Sequence, residues 1–287
     1  MRLKNFLLSA FILCALFSFG QNTILWKITS PIKKNVSYLL GTHHYFGSSF
    51  VDTFSIIQEK LKTSDVIVTE AKFDRQKGLD YYNSRPTSTS LSSALSQDDI
   101  NYINTVFKPG LDINKYSPGE LLIKLYAAYP KYKCPVVNAK DEFGMDEYIQ
   151  RLGQQYQKSS DFLESDSAQL SKIYEATKMY NWKVFKQVIP ALLAQYRSET
   201  VDESLCIFAN QYASFTLDYK LKEKCKGSGM NEVLLKNRND EWMQKLPALL
   251  EKGNCFVAIG LMHLYHKCGL IEQLRALSYS VEPVSMK

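Results

Sequence analysis

Histidine occurs only four times in the 287 residues of this chain, and all four fall in two short clusters near opposite ends. The clusters are Gly41-Thr42-His43-His44 and Gly260-Leu261-Met262-His263-Leu264-Tyr265-His266, each preceded by an apolar, strand-like run. Histidine titrates near neutrality and is the commonest metal ligand, so confining it to two Gly-x-x-His steps suggests one site assembled from both ends of the chain. A glycine three residues before a histidine allows close backbone approach at a strand end, which lets the imidazole emerge at the sheet rim. The competing reading is a pair of histidines satisfied by backbone carbonyls.

Residues 1–20 read as a secretory signal: Arg2 and Lys4 open it, Phe6 to Phe19 is almost wholly apolar, and Ser18 and Gly20 are the small residues before a cut that leaves Gln21 first. The apolar run is shorter than the ~20 residues that span a bilayer, so the expected product is exported, periplasmic or secreted, without a stable membrane anchor. Leu13 argues against lipid attachment at Cys14. Losing Arg2 and Lys4 and no acid lowers the formal charge from +6 to +4. The remaining basic residues are scattered, which does not suggest a nucleic-acid partner. With 45% hydrophobic residues the chain can bury a sizeable core, and residues 21–287 are expected to form a single domain. Without Cys14, five cysteines remain, an odd number that leaves at least one thiol without an intrachain partner. Loop length nominates Cys206 with Cys225 as a bridge; Cys255 reads as core and Cys268 as structural.

The periodicity predicts α/β organisation. Ile24 to Thr29 and Val36 to Thr42 read as a hairpin leading into the first cluster. Asp52 is expected to cap a helix through Lys62, and Val66 to Thr69 is a short buried strand delivering Glu70. Residues 84–97 read as a surface loop. Ser117-Pro118-Gly119-Glu120 is the clearest helix start, with Ser117 as cap and Glu120 returning a bond to it. Residues 166–222 are helical in character, a helical subdomain covering the sheet. A helix is expected over roughly 232–251, then a strand over Cys255 to Ile259, a helix over Gly269 to Leu277 and a last strand over Tyr279 to Val284.

Glu70 ends a buried strand, where an unpaired carboxylate costs several kcal/mol and so needs a metal, a histidine or a cation such as Arg238 beside it. Arg238-Asn239 lies on the helix before the last long strand; the arginine fork suits an oxyanion or carboxylate, although an arginine there is more often solvated. Glu164 reads as a helix-initiating acid.

Leu39-Leu40-Gly41-Thr42-His43-His44, Val68-Thr69-Glu70, Leu163-Glu164 with Gln169, Arg238-Asn239, and Val257 through His263 to Leu274 resemble the TraB/GumN family, to which the Tiki membrane proteins are similar. The resemblance implies a mixed central sheet flanked by helices, similar to erythromycin esterases and the haem-binding ChaN proteins, with a helical insertion. It also implies a metal-dependent hydrolase, as Tiki relatives are peptidases: His44, His263 and Glu70 would hold a divalent ion such as Zn, Mn or Co, and Glu70, His43, Arg238 and Asn239 are the candidate catalytic residues. A zinc ion held by two histidines and a carboxylate lowers the pKa of bound water to about 7. His43 stands where relatives often have an apolar residue, and Tyr265-His266-Lys267-Cys268 departs from the family's loop. A peptide or small molecule is the expected substrate. Two further readings remain open: an esterase-like hydrolase without a metal, and a non-catalytic exported binder of peptide or haem, the latter with Tyr45 or Tyr265 as axial contact.

Overall fold

Leu25–Thr29 (β1) and Val36–Thr42 (β2) form the expected antiparallel hairpin, in register from Leu25 opposite Leu40 to Thr29 opposite Val36. This computed structural model describes residues 22–286 other than 88–90, 108–109, 179 and 226–228, so the signal read in residues 1–20 lies outside the described residues. Val66–Thr69 (β3), Ser159–Phe162 (β4), Cys255–Gly260 (β5) and Ser280–Pro283 (β6) complete a six-stranded sheet of order β4-β3-β5-β2-β1-β6. β4, β3, β5 and β2 run parallel, and β1 is antiparallel to both β2 and β6. The fold is thus α/β around a mixed sheet. All six residues of β5 are buried, as a central parallel strand covered on both faces requires. β4 has no counterpart in the sequence reading. Its residues, Ser-Ser-Asp-Phe, are polar and partly exposed, and pairing with β3 rather than propensity makes them an edge strand.

The helices in chain order are Ser48–Val51 (α1), Ser55–Thr63 (α2), Arg75–Asn83 (α3), Leu91–Ala94 (α4), Gln97–Val106 (α5), Pro118–Lys133 (α6), Met145–Gln155 (α7), Asp166–Thr177 (α8), Trp182–Arg197 (α9), Glu203–Ser214 (α10), Asn237–Trp242 (α11), Leu246–Lys252 (α12) and Leu270–Ala276 (α13). α6 opens with the full capping box, the Ser117 hydroxyl accepting from the Glu120 N–H and the Glu120 carboxylate from the Ser117 N–H. Three expectations are corrected. Asp52 does not cap α2; Phe54 precedes it, and the Asp52 carboxylate instead accepts from Gln58 and Tyr148. Residues 232–251 are not one helix: a π-helical turn, Glu232–Lys236, leads into α11, and Pro247, which has no N–H to donate, sits in the first turn of the separate α12. The loop over 84–97 contains the short helix α4 and the start of α5.

The expected helical cover is present in α8, α9 and α10, but it is knitted to α6, which lies earlier in the chain. Tyr196 of α9 donates to the Leu125 carbonyl of α6, and the Tyr129 hydroxyl of α6 accepts from the Asp202 N–H that precedes α10. α10 in turn reaches the sheet, where the Tyr212 hydroxyl donates to the Gly41 carbonyl. Among the described residues no helix is long and apolar enough to cross a membrane.

The cysteine pairing also differs from expectation. Cys134 at the end of α6 bonds Cys206 of α10, and Cys225 bonds Cys268, so Cys206 and Cys225 belong to different bridges. Loop length took no account of α6 lying against α10, which brings the Cα atoms of Cys134 and Cys206 to 5.6 Å. Cys255 remains a buried thiol in β5. Non-reducing peptide mapping of the oxidised protein should yield the 134–206 and 225–268 linkages with Cys255 free. Replacing Cys134 and Cys206 by Ala should lower the unfolding free energy by about 2–4 kcal/mol, and an unchanged denaturation midpoint would contradict the pairing.

Candidate functional site

Register brings the two Gly-x-x-His steps together. In the parallel pair β2 and β5, Gly41 lies beside Ile259 and Thr42 beside Gly260, while Thr69 at the end of β3 lies beside Ala258. Three adjacent strands therefore end side by side and release His43-His44, Glu70 and the turn carrying His263 at one rim, where open α/β sheets bind ligands. Neither glycine has a positive φ; what matters is the missing Cβ. A Cβ on Gly41 would lie 2.5 Å from Leu261 Cδ1 and 2.9 Å from Leu264 Cδ1, both in the second cluster. A Cβ on Gly260 would lie 3.0 Å from Glu70 Oε1, 3.7 Å from His263 Cδ2 and 4.0 Å from His44 Cε1. The second cluster thus fills the space that Gly41 leaves, and Glu70, with His263 and His44 further off, occupies the space that Gly260 leaves.

Arg238 is the hub of this site. It is buried, not solvated, and its Nη2 donates to Glu70 Oε2 at 2.5 Å and to Glu164 Oε1 at 2.6 Å, while Nε reaches Glu164 Oε1 at 2.9 Å. Glu164 is therefore a buried ion-pair partner rather than a plain helix-initiating acid. Gln169 and the Gly260 N–H complete the shell of Glu70 at 2.9 and 2.7 Å. Burial pushes the Glu70 carboxyl upward, but the charges of Arg238, His263 and His44 and the Gly260 N–H outweigh it and hold the pKa at about 2. Asn239, one residue on, donates to the His263 and Cys268 carbonyls, which leaves its Oδ1 to accept from His263 Nδ1 at 2.6 Å. That fixes the His263 tautomer: Nδ1 carries the proton, and the Nε2 lone pair accepts from Arg238 Nη1 at 3.2 Å. Burial takes the imidazole down to about 3, so it is neutral. The π-helical turn just before α11 belongs to the same arrangement, since its Leu234 carbonyl accepts from Arg238 Nη1.

His44 is held from the other side by Asp146. His44 Nδ1 meets Asp146 Oδ2 at 2.5 Å, and the Thr42 hydroxyl donates to Asp146 Oδ1. The aspartate charge raises the imidazole to about 9 against the opposing effect of burial. The His44 side chain is 65% exposed, so the ion pair rather than a dry environment carries this shift. Asp146 lies in the first turn of α7, where the helix dipole favours a carboxylate. Gly153, two turns further on, lets α7 sit on the sheet, since a Cβ there would be 2.6 Å from Ile67 Cδ1. Nothing in the sequence singled out Asp146, because only tertiary packing brings α7 to the rim. His43 points elsewhere: its ring lies 5.1 Å from Phe46, 5.3 Å from Tyr212 and 5.5 Å from Phe208, and burial lowers it to about 4. The Tyr265–Cys268 loop is tied down by the Cys225 bridge and by the His266 N–H, which donates to the Tyr219 carbonyl.

The donor types suit a divalent ion. Each histidine uses Nδ1 for a second group, Asp146 or Asn239, the arrangement that aims Nε2 at a metal. Glu70 Oε1 lies 3.9 Å from His263 Nε2. In the arrangement seen, however, the Arg238 guanidinium takes the His263 lone pair and one Glu70 oxygen, and no group of three or more His, Cys, Asp or Glu among the described residues is poised to hold a metal. The site adjoins a cavity of about 580 Å³, lined by His44, Glu70, Asp146 and Gln169 among others. Tyr45 also lines this cavity, whereas the Tyr265 ring packs on Tyr219 at 5.0 Å.

Replacing Arg238 by Met would leave Glu70 without its cation and Glu164 with Lys172 alone. Breaking a buried pair in this way should cost about 3–5 kcal/mol, measured by urea denaturation. A cost below about 1 kcal/mol would show that the network does not hold the site together.

No curated protein was found to match the chain. The sequence model described as the TraB/PrgY/gumN family matches residues 24–283, from just before β1 to the last residue of β6. That span contains both Gly-x-x-His steps, Glu70 and the Arg238-Asn239 pair, and the chain belongs to the TraB/PrgY/gumN family.

Proposed function

We propose that this protein is an exported hydrolase acting on peptides, with its reaction centre where His44, Glu70 and His263 meet. The observation that carries the reading is the convergence of a buried carboxylate and two Nδ1-anchored imidazoles at the carboxyl ends of β2, β3 and β5, beside a cavity large enough for a short peptide segment. The basic start and apolar run of residues 1–20 support export.

Two chemistries compete at this centre, and one observation favours each. The anchoring of both Nδ1 atoms favours a divalent ion, Zn, Mn or Co, held by His44, His263 and Glu70; when bound, such an ion supplies Lewis-acid activation of water. A carboxyl held near 2 is a weak base, so in this reading Glu70 contributes its charge and its orienting bonds more than proton abstraction. Asp146 and Asn239 fix the two rings, and Arg238, its N–H groups engaged by Glu70, Glu164, His263 and the Leu234 carbonyl, holds the carboxylate and the second ring in place. The contact from Arg238 to His263 Nε2 favours the alternative, hydrolysis without an ion, in which the attacking water passes its proton to Glu70, protonated His44 donates to the leaving group, and the positive charge of Arg238 offsets the developing negative charge.

Elemental mass spectrometry of the purified protein beside the double variant His44→Ala/His263→Ala separates them. Near-stoichiometric Zn, Mn or Co that disappears in the double variant is the expected result; a metal-free protein that still cleaves peptides establishes the alternative. In either case Glu70→Gln should reduce kcat by about a hundredfold or more with a small change in KM, and undiminished turnover would remove Glu70 from the reaction.

A further inference from the structure

Away from His44 and Glu70, the same cavity is lined by Tyr82, Val106, Phe107, Leu111, Tyr116 and Lys124. One face of α6 supplies Lys124, Ala128 and Lys131 to its wall at helical spacing. Lys131 is already engaged, donating to the Asp141 carbonyl. Lys124 is not: among the described residues its ammonium has no carboxylate within ion-pair distance and no hydrogen-bond acceptor, and it lies 5.1 and 5.3 Å from the ring centroids of Tyr82 and Tyr116.

The missing partner has a specific cause. A glutamate four residues before a lysine is the favourable helical ion-pair spacing, and Glu120 stands there. Its carboxylate is diverted. It takes two bonds from Arg85 Nη1, at 2.8 and 3.0 Å, and one from the Ser117 N–H at 2.9 Å, with Glu120 fully buried. Arg85 offsets part of the Glu120 charge, so Lys124 brings to the cavity wall a positive charge with no carboxylate bonded to it among the described residues. Of the four acids lining the cavity three are spent, Glu70 on Arg238, Asp146 on His44 and Glu147 on Arg151, and the fourth, Glu142, makes no ion pair with Lys124. Burial pulls the Lys124 ammonium below the ordinary lysine value, a cost that an incoming anion would relieve. The surrounding Val106, Phe107 and Leu111 offer apolar contact beside the charge.

We propose that Lys124 binds a carboxylate of the substrate, so that the cavity selects peptides or peptide fragments bearing a free carboxylate next to an apolar side chain. This inference rests on the hydrolase reading for its place in a reaction, but its test does not require turnover. N-acetyl-L-phenylalanine, its amide, and N-acetyl-L-glutamic acid α-amide are titrated calorimetrically into the full chain and into Lys124→Met and Lys124→Arg. In the unaltered protein the phenylalanine acid should bind at least about tenfold more tightly than its amide, the factor supplied by one charge-assisted hydrogen bond. Lys124→Met, which keeps the apolar stem, should erase that preference, and Lys124→Arg should retain it. The glutamate probe distinguishes the two sources of the carboxylate: tighter binding of the phenylalanine acid assigns the site to a chain terminus, tighter binding of the glutamate amide to an acidic side chain. Equal binding of acid and amide, a preference that survives in Lys124→Met, or no binding of any carboxylate probe overturns the proposal. Should Lys124→Met fail to fold by circular dichroism, the acid-to-amide ratio in the unaltered protein still decides it. Carboxylate binding without peptide cleavage would sink the hydrolase reading alone; peptide cleavage indifferent to the carboxylate would sink this one alone.

Discussion

The site depends on the close approach of β2 to β5 and of the turns that follow them. Each strand has a glycine within its last two positions whose missing side chain leaves room for neighbours: Leu261 and Leu264 over Gly41, Glu70 and the two histidines over Gly260. A methyl group at Gly41 would collide with a branched side chain in a packed interior, where voids and overlaps are both costly. The residues that could do chemistry are therefore set by backbone packing. Because β2 and β5 are parallel and adjacent, only the completed sheet brings His44 and His263, 219 positions apart, to one rim.

Electrostatics then locks the rim. Arg238 bridges Glu70 and Glu164 and donates to His263, so one guanidinium sets the charge of a carboxylate and the orientation of an imidazole. Asn239 fixes the same imidazole through its other nitrogen, and the π-helical turn before α11 supplies a carbonyl to Arg238. Adjacent positions on one short helix thus grip His263 from both sides, which accounts for an Arg-Asn pair at the start of a six-residue helix better than solvation would. On the opposite side Asp146 does for His44 what Asn239 does for His263.

Much of this was readable before the fold was known, for identifiable reasons. β1, β2, β3 and β5 announce themselves because buried strands need apolar runs, and the Ser117 box because capping is local chemistry. Glu70 stands out because a carboxylate after a buried strand needs a partner, and Arg238, a cation within the range of partners that reading allows, is that partner. The strand β4 was hidden because an edge strand can be polar, and the break at Pro247 because amphipathic spacing continues across it. Asp146, the Cys134–Cys206 bridge and the diversion of Glu120 to Arg85 are tertiary facts: in each, the sequence neighbour that local rules favour loses to a residue brought in by packing.

The charges around the hub are not equally well provided for. Glu164 has a second cation, Lys172, at 3.1 Å, so it would stay compensated if the guanidinium turned away. Besides Arg238, Glu70 has the Gly260 N–H, Gln169 and the neutral His263 close by, with the charge of His44 acting on it from beyond ion-pair distance; the nearby donors solvate a carboxylate but do not neutralise it. Arg238 is the cation bonded to Glu70 among the described residues, and leaving that buried carboxylate without it would cost several kcal/mol.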